Sequence, residues 1–479
     1  MSTNRRDFLK SSFIGAGILG TGLAACTNLE QKGQSASKAI QRTQLFNMSG
    51  YAAPKLETVR VGFVGLGNRG PGAVERFSHI EGVVIAGLCD KDPARVDNAQ
   101  KILEKQNLPA AKGYSDSEDA WKAMVDSGEI DLLYICTPWA LHTPMAVYAM
   151  ENNVHAATEV PAALTVEEAW QLVATSERTK KHCMMLENCC YDFFELLTLN
   201  MARQGFFGEI IHGEGAYIHD LLNMNFDKNA YSDMWRLREN LKNGNLYPTH
   251  GLGPICQIMD VNRGDQMEYL TSMQSADFMM APLAEKLAAE DSTFTEFAGK
   301  TYRGNMNTTL IRTLKGRTIM VQHDVTSPRP YSRLHTVSGT KAYAQKYPSP
   351  ERIATGHGWF GNDEMKALRE QYTPEIVQVV GEMAREIGGH GGMDFMMDWR
   401  LVDCLRNGLP LDQDVYDAAL WSVIAPLSRE SIENRSSSVE VPDFTCGAWK
   451  TNAPVELTLN GGGTTGVMSA KASVNQLGV

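Results

Sequence analysis

The sequence lacks a tract of basic residues, a cysteine motif and an internal repeat. Its 479 residues include 45 Lys and Arg against 56 Asp and Glu, which gives a formal net charge of −11. An acidic surface repels the phosphate backbone of nucleic acids. We therefore expect no nucleic-acid partner.

Cysteine is present without a pattern that suggests chemistry. The chain has nine cysteines, and the eight that follow Cys26 form no CxxC pair and no metal-ligand spacing. Cys89 and Cys136 lie inside apolar runs, so buried free thiols are expected. The adjacent pair Cys189 and Cys190 leaves the redox state of those two thiols open. We expect no metal site.

The N-terminus resembles an export signal. Arg5 and Arg6 precede an uncharged stretch, residues 11–25, that is shorter than the roughly 20 residues of a spanning helix. The arginine pair resembles a twin-arginine signal, and Leu23–Cys26 resembles a lipobox. These resemblances imply removal of residues 1–25 and lipidation of Cys26, with the protein anchored to a membrane and facing the periplasm or cell surface. The alternative is an unstructured start with a chance cysteine.

The segment after the signal, residues 26–57, is polar and is predicted to be a tether. From residue 58 to residue 185 short apolar runs alternate with helical patterns. This alternation predicts an α/β Rossmann domain with a parallel, doubly wound sheet.

The first strand of that domain runs into a glycine-rich turn, "GLGNRG", which opens a helix. GxGxxG in this context is typical of dinucleotide binding, and an acidic residue about 20 positions later bonds the ribose of NAD. Asp90 has that position, although it is also suited to capping the next helix. Its negative charge would repel the ribose phosphate of NADP. Arg69 could pair with that phosphate, so NADP stays an alternative cofactor. The residues predicted to bind this part of the cofactor are Gly65, Gly67, Asn68, Arg69, Gly70 and Asp90.

Two later motifs, "CTPWALHTP" and "TEVP", resemble those of the Gfo/Idh/MocA oxidoreductase family. The resemblance implies that NAD is the cofactor and that a further set of residues surrounds its nicotinamide and ribose. Dehydrogenases of that family usually have lysine where this chain has Val160, which makes an ordinary alcohol dehydrogenase less probable. The implied residues are Trp139, Ala140, Leu141, His142, Glu159, Val160 and Asn188.

The pattern changes after about residue 185. Longer strand patterns joined by hairpin turns predict a second, α+β domain over residues 186–452 with a mainly antiparallel open sheet. Helical patterns return at residues 362–387, 395–407 and 415–432. Residues 453–479 form a tail without an assigned role. A homo-oligomer is possible, because exposed sheet faces of this architecture often pair.

Tyr247 and His250 flank a proline and a threonine in "YPTHGLGP", so that both rings could face one cleft. A phenol and an imidazole are suitable acid–base partners, although a buried structural histidine would have the same pattern. This stretch, with "GEGAYIHDL" and "GHGGMDFMMDW", resembles glycoside hydrolase family 109. The resemblance implies sugar-binding roles for Tyr217, Arg236, Tyr247, Pro248, Thr249, His250 and Tyr331. His390, in "GGHGG", is a further candidate.

That family uses NAD to cleave terminal α-N-acetylgalactosamine from glycans. The sequence offers no carboxylate pair at a shared cleft, which ordinary glycosidases need. The family chemistry replaces the pair with oxidation at C3, elimination, water addition and reduction, so the resemblance implies tightly bound, recycled NAD, with His250 and Tyr247 as the catalytic residues. The alternatives are a sugar oxidoreductase and an anchored carbohydrate-binding protein with a vestigial cofactor site.

Overall fold

The computed structural model describes residues 42–468, of which 43–468 belong to one compact unit. The predicted signal peptide and the predicted lipidation site, Cys26, lie outside the described residues, as does the end of the tail. Within the described range, none of the helices combines the length and the apolar character needed to cross a bilayer.

The first half of this unit forms a six-stranded parallel sheet with the strand order β3-β2-β1-β4-β5-β6. Its strands are β1 Val59–Val64, β2 Val83–Cys89, β3 Lys112–Tyr114, β4 Leu132–Ile135, β5 His155–Thr158 and β6 Cys183–Met185. Its helices are α1 Gly70–Phe77, α2 Pro93–Lys105, α3 Ala120–Asp126, α4 His142–Glu151 and α5 Val166–Thr179. The chain adds β2 and β3 on one side of β1 and then crosses to add β4, β5 and β6 on the other side. This change of direction leaves a crevice at the carboxyl ends of the strands, where such folds bind dinucleotides.

The second half forms an eight-stranded mixed sheet with the order β13-β12-β11-β7-β10-β9-β8-β14. Its strands are β7 Ile210–Ile218, β8 Met267–Gln274, β9 Asn307–Thr313, β10 Thr318–Asp324, β11 Ser332–Gly339, β12 Tyr343–Gln345, β13 Arg352–Ala354 and β14 Val439–Glu440. The helices are α6 Phe193–Arg203, α7 Leu222–Asn225, α8 Trp235–Glu239, α9 Thr249–Ile258, α10 Met280–Glu290, α11 Asn362–Tyr372, α12 Glu375–Ile387, α13 Met393–Asn407 and α14 Val415–Glu433.

The sheet is mostly antiparallel, as the sequence predicts, with one exception at its centre. β7 and β10 pair in parallel, and the hairpin β9–β10 turns at residues 314–317. The helical pattern over residues 362–387 forms two helices, because Pro374 has no N–H for a continuous helix and disfavours a helical Thr373.

Two glycines hold α9 against β7 and so place the start of α9 at the cleft. A Cβ added to Gly215 would lie 2.1 Å from the carbonyl oxygen of Gly251, and one added to Gly251 would lie 2.1 Å from the nitrogen of Ala216. Side chains at either position would push helix and strand apart. Tyr247, just before α9, and His250, in its first turn, therefore both pack against Tyr217 of β7.

Both ends of the described chain pack on the helices. The Met48 N–H donates to the hydroxyl oxygen of Tyr416, and Ala52 forms a bridge with Pro410. From residue 43 onward the predicted tether is therefore part of the compact unit, because apolar side chains such as Phe46, Met48 and Tyr51 pack in or against the core. In the tail, Thr465 accepts a hydrogen bond from the indole of Trp399.

Candidate active site

The glycine-rich turn between β1 and α1 has no room for side chains at two positions. Gly65 has a φ of +89°, and a Cβ there would lie 2.6 Å from the carbonyl carbon of Cys136. A Cβ on Gly70 would lie 2.2 Å from the carbonyl oxygen of Gly65. The turn therefore brings backbone N–H groups and the start of α1 to the crevice, which is the arrangement that binds a pyrophosphate.

Asp90 lies at the carboxyl end of β2 and is 6% exposed. Its Oδ2 accepts a hydrogen bond of 2.7 Å from the N–H of Leu66 in the glycine turn. Arg95 Nη1 lies 3.6 Å from the same oxygen. Asp90 and the glycine turn thus form one unit, and the carboxylate is suited to accept hydrogen bonds from the adenosine ribose of a dinucleotide.

At the other end of the crevice, Arg69 is turned away from Asp90. Its Nε donates to Glu159 Oε1 at 2.9 Å, and its Nη2 lies 3.5 Å from Asp394 Oδ2. The amide of Asn188 donates to the other oxygen of Asp394. Asp394 therefore connects two predicted cofactor residues, although the motif "GHGGMDFMMDW", which contains it, gave it no role.

His142 is fully buried beneath the cleft, between the loops that follow β4 and β5. Its Nδ1 lies 2.7 Å from the carbonyl oxygen of Pro161 and its Nε2 lies 2.8 Å from that of Thr137. Burial lowers the pKa of His142 despite these two carbonyls. The imidazole joins the loops after β4 and β5, and Val160 lines the cavity beside it.

An aromatic wall of Trp139, Tyr217 and Tyr247 surrounds one guanidinium, with Trp139 coming from the first domain and the two tyrosines from the second. The guanidinium carbon of Arg236 lies 5.1 Å from the ring centre of Tyr247 and 5.4 Å from that of Trp139. Tyr217 packs on Tyr247 with ring centres 4.6 Å apart. Burial raises the pKa of Tyr247 well above its ordinary value, so its phenol keeps its proton at neutral pH. The wall offers stacking surfaces and hydrogen-bond donors to a sugar.

His250 is held by a carboxylate that the sequence did not single out. His250 Nδ1 lies 2.8 Å from Glu187 Oε1 and 2.9 Å from Glu187 Oε2. Burial opposes ionisation of Glu187, but His250 and neighbouring donors outweigh it and lower the pKa of the carboxyl. Glu187 follows β6 and is fully buried, so the pair joins the two halves of the protein. The position of Glu187 just after a strand of the parallel sheet is the sequence signal that could have identified it.

Glu187, Cys189 and His250 bring three ligand-type atoms within 4.8 Å of one another. Burial raises the pKa of the Cys189 thiol well above its ordinary value, so the sulfur keeps its proton. A protonated thiol is a poor metal ligand. Within the described range no cysteine forms a disulfide, so the eight thiols there are reduced, as predicted.

Residues of both domains line one cavity of about 460 Å³. The predicted residues that line it are Gly65, Gly67, Asn68, Arg69, Asp90, Trp139, Leu141, His142, Glu159, Val160, Tyr217, Arg236, Tyr247 and His250, with the further candidate His390. His219 also lines it and had not been predicted.

Other predicted residues lie around the cavity instead of lining it. Gly70 is buried at the start of α1, Ala140 is exposed on its turn, and Asn188 and Thr249 are buried. Pro248 caps α9. The ring of Tyr331 lies at the rim, 5.0 Å from that of His219 and 6.4 Å from that of Tyr217.

Comparison with protein families identifies both halves. Residues 59–187 match the oxidoreductase family with an NAD-binding Rossmann fold, and residues 191–451 match the C-terminal domain of glycosyl hydrolase 109. The structure of levoglucosan dehydrogenase in complex with NADH has the same fold, with a TM-score of 0.59 at 16% identity over 81% of this chain and all of that chain. The class is therefore a two-domain protein of the Gfo/Idh/MocA type with an NAD-binding domain.

Sequence relatives give the narrower assignment. The chain is 51% identical over 417 residues to glycosyl hydrolase family 109 protein 1 of Bacteroides fragilis strain YCH46, which covers 84% of this chain and 88% of that protein. It is 52% identical over 408 residues to an alpha-N-acetylgalactosaminidase of Bacteroides fragilis strain ATCC 25285, covering 84% of this chain and 95% of that protein. The chain belongs to glycoside hydrolase family 109.

Proposed function

We propose that this protein is an NAD-dependent α-N-acetylgalactosaminidase that releases terminal N-acetylgalactosamine from glycans without net oxidation. The observation that carries the proposal is 52% identity, over 84% of this chain and 95% of the relative, to an alpha-N-acetylgalactosaminidase. The cleft agrees with it: dinucleotide-binding features form one wall, and an aromatic wall with an arginine and a histidine faces them.

NAD would be held by the glycine turn, Asp90 and the Arg69–Glu159 pair. When bound, it supplies a hydride acceptor for C3 of the sugar and the hydride that is later returned. A loop of the second domain crosses the crevice: Asn68 donates to the carbonyl oxygen of Ala230, and Arg95 Nη2 donates to Ser232 Oγ at 3.0 Å. These contacts support a tightly held cofactor, which should copurify with the protein and resist dialysis.

His250 would act as the base at C2 of the sugar. Glu187 engages Nδ1 of the imidazole, which leaves Nε2 for the substrate. Tyr247, whose buried phenol keeps its proton, would donate a hydrogen bond to the oxygen at C3 and stabilise the negative charge that this oxygen carries once the C2 proton has been removed. Arg236 and Tyr217 would bind the remaining sugar hydroxyls, with Tyr331 at the rim.

We also propose that the protein is exported folded and anchored by a lipid on Cys26, as the sequence motifs imply. Export after folding would let NAD be loaded in the cytoplasm and carried out in the cleft. Replacing Cys26 with Ala should move the protein from the membrane fraction to the soluble fraction. Retention in the membrane fraction would contradict the anchor.

A homo-oligomer through the open face of the large sheet is a further part of the proposal. Tyr269, Met273 and Leu310 share that face and are 37%, 66% and 49% exposed. Contiguous exposed apolar side chains are typical of protein interfaces. Replacing Met273 and Leu310 with Glu should lower the mass measured by light scattering, and an unchanged mass would contradict this interface.

One assay separates the proposed activity from its alternatives. Purified protein is incubated with an aryl α-N-acetylgalactosaminide without added NAD, while aglycone release and absorbance of reduced cofactor are followed together. Release without net NADH supports the glycosidase. NADH accumulation without release indicates a sugar oxidoreductase, and neither signal in NAD-containing protein indicates a binding protein. His250→Ala should lower turnover far more than NAD content.

A further inference from the structure

The loop between α12 and α13 has an unusual backbone. Five successive residues have positive φ angles: Gly388 at 96°, Gly389 at 82°, His390 at 48°, Gly391 at 76° and Gly392 at 108°. Glycine adopts such angles without strain, whereas histidine does so uncommonly. The four glycines thus form a left-handed loop that presents one imidazole.

That imidazole is backed by a buried carboxylate. His390 Nδ1 lies 2.9 Å from Asp394 Oδ2, and the side chain of Asp394 is 1% exposed. A Cβ added to Gly389 would lie 2.6 Å from the Cβ of Asp394, so the loop packs tightly on the acid. Because Nδ1 is engaged by Asp394, Nε2 is left for a ligand in the cavity that His390 lines.

The cleft therefore contains two histidine–carboxylate pairs with different surroundings. The side chain of His250 is 13% exposed, whereas that of His390 is 52% exposed. His390 consequently lies at the open side of the cleft. A terminal sugar enters such a cleft with its glycosidic oxygen toward the opening, because the rest of the glycan must remain outside. A proton donor for that oxygen has to lie at the open side.

We infer that His390, oriented by Asp394, donates the proton to the departing glycosidic oxygen. The inference rests on the proposed function and adds a residue to it. As the base removes the C2 proton, the electron pair of that C–H bond forms the C1–C2 double bond. The electron pair of the C1–O bond goes to the departing oxygen, which takes the proton from Nε2 of the imidazolium form of His390. When water later adds to C1, its proton returns to Nε2 as C2 regains the proton that the base removed. His390 therefore ends each turnover in its starting state.

His390→Asn tests this inference, because Asn tolerates the left-handed backbone and has no proton to give at this position. Dinitrophenyl and methyl α-N-acetylgalactosaminides are compared as substrates, since dinitrophenolate departs without protonation and methoxide does not. We expect kcat/KM to fall by about 100-fold or more for the methyl glycoside and by less than about fivefold for the dinitrophenyl glycoside. NAD content should equal that of the unmodified protein.

His357→Asn is the matched control, because His357 is exposed and does not line the cavity. It should leave both substrates unaffected. Equal losses on the two substrates in His390→Asn, or loss of NAD, would overturn the inference and indicate a structural or cofactor-binding histidine. Failure of the proposed function is distinguishable, because the unmodified protein would then release neither aglycone.

Discussion

His250 Nδ1 lies 2.8 Å from Oε1 of the fully buried Glu187. This pair links α9 of the second domain to the segment that follows β6, the last strand of the NAD-binding sheet. A carboxylate in this position fixes the tautomer and the ring orientation of a histidine. It also stabilises the positive charge that the ring acquires when it takes a proton.

Glu187→Gln should therefore lower kcat by about 100-fold while NAD content stays unchanged. The amide still fits the buried site but cannot stabilise the protonated ring as a carboxylate does. The measurements are steady-state kinetics with the aryl glycoside and NAD quantified after denaturation. A loss of NAD in proportion to the loss of turnover would show that Glu187 serves cofactor binding instead.

Gly65→Ala should remove most of the bound NAD and lower the free energy of unfolding by more than the 1–2 kcal/mol expected, roughly, for left-handed strain alone. The added Cβ would collide with the Cys136 carbonyl group. Gly128→Ala is the control, because Gly128 has a φ of +70° but no atom within 4 Å of an added Cβ. Similar losses in both variants, measured by denaturation and NAD content, would contradict the close approach of turn and strand.

Arg236→Lys should raise KM for the glycoside by about tenfold, because the planar guanidinium both stacks on rings and forms paired hydrogen bonds. The control is Arg352→Lys, since Arg352 lies 5.5 Å from the ring centre of Trp359 and does not line the cavity. An unchanged KM in Arg236→Lys would mean that this residue only packs the two halves together.

Glu195 provides a test of stability against pH. Burial opposes its ionisation, but Lys346 and Arg333 outweigh burial and lower the pKa of its carboxyl to about 2. A carboxyl whose pKa falls on folding contributes stability above its unfolded pKa of about 4.5 and loses it as the pH falls toward 2. The contribution at neutral pH is on the order of 3 kcal/mol.

Glu195→Gln should therefore unfold more easily than the unmodified protein at pH 7, and the difference should narrow between about pH 5 and pH 2. Urea denaturation at a series of pH values measures it. Glu209→Gln is the control, because the Glu209 side chain is 85% exposed. A difference that does not depend on pH would contradict the buried ion pairs.

Sequence reasoning succeeded where the signal is local. The glycine turn and Asp90 are read from short spacings, and the hairpin of β9 and β10 from a turn between two strand patterns. It missed Glu187 and Asp394, because the contacts that bring them to the site, with His250 and Asn188, join residues 63 and 206 positions apart in the chain. Only the packing of α9 on β7, and of α13 against the first domain, brings such groups together.

The same limit explains the ends of the compact unit. Residues 43–57 are richer in apolar side chains than the earlier part of the predicted tether, and Phe46, Met48, Tyr51 and Leu56 pack in or against the core. The composition of the whole segment, residues 26–57, averages these apolar residues with the polar ones before them. It therefore predicted a tether where part of the segment is packed. The parallel pairing of β7 with β10 is likewise set by a connection across about a hundred residues, which strand patterns do not encode.

The central claim is that the glycosidic bond is broken by oxidation at C3 followed by removal of the proton at C2. The most direct measurement is the deuterium content at C2 of the N-acetylgalactosamine released in heavy water, determined by nuclear magnetic resonance. The account predicts deuterium at C2 in the product, together with aglycone release that needs no added NAD. Product that retains only hydrogen at C2, even with rapid hydrolysis, would contradict it.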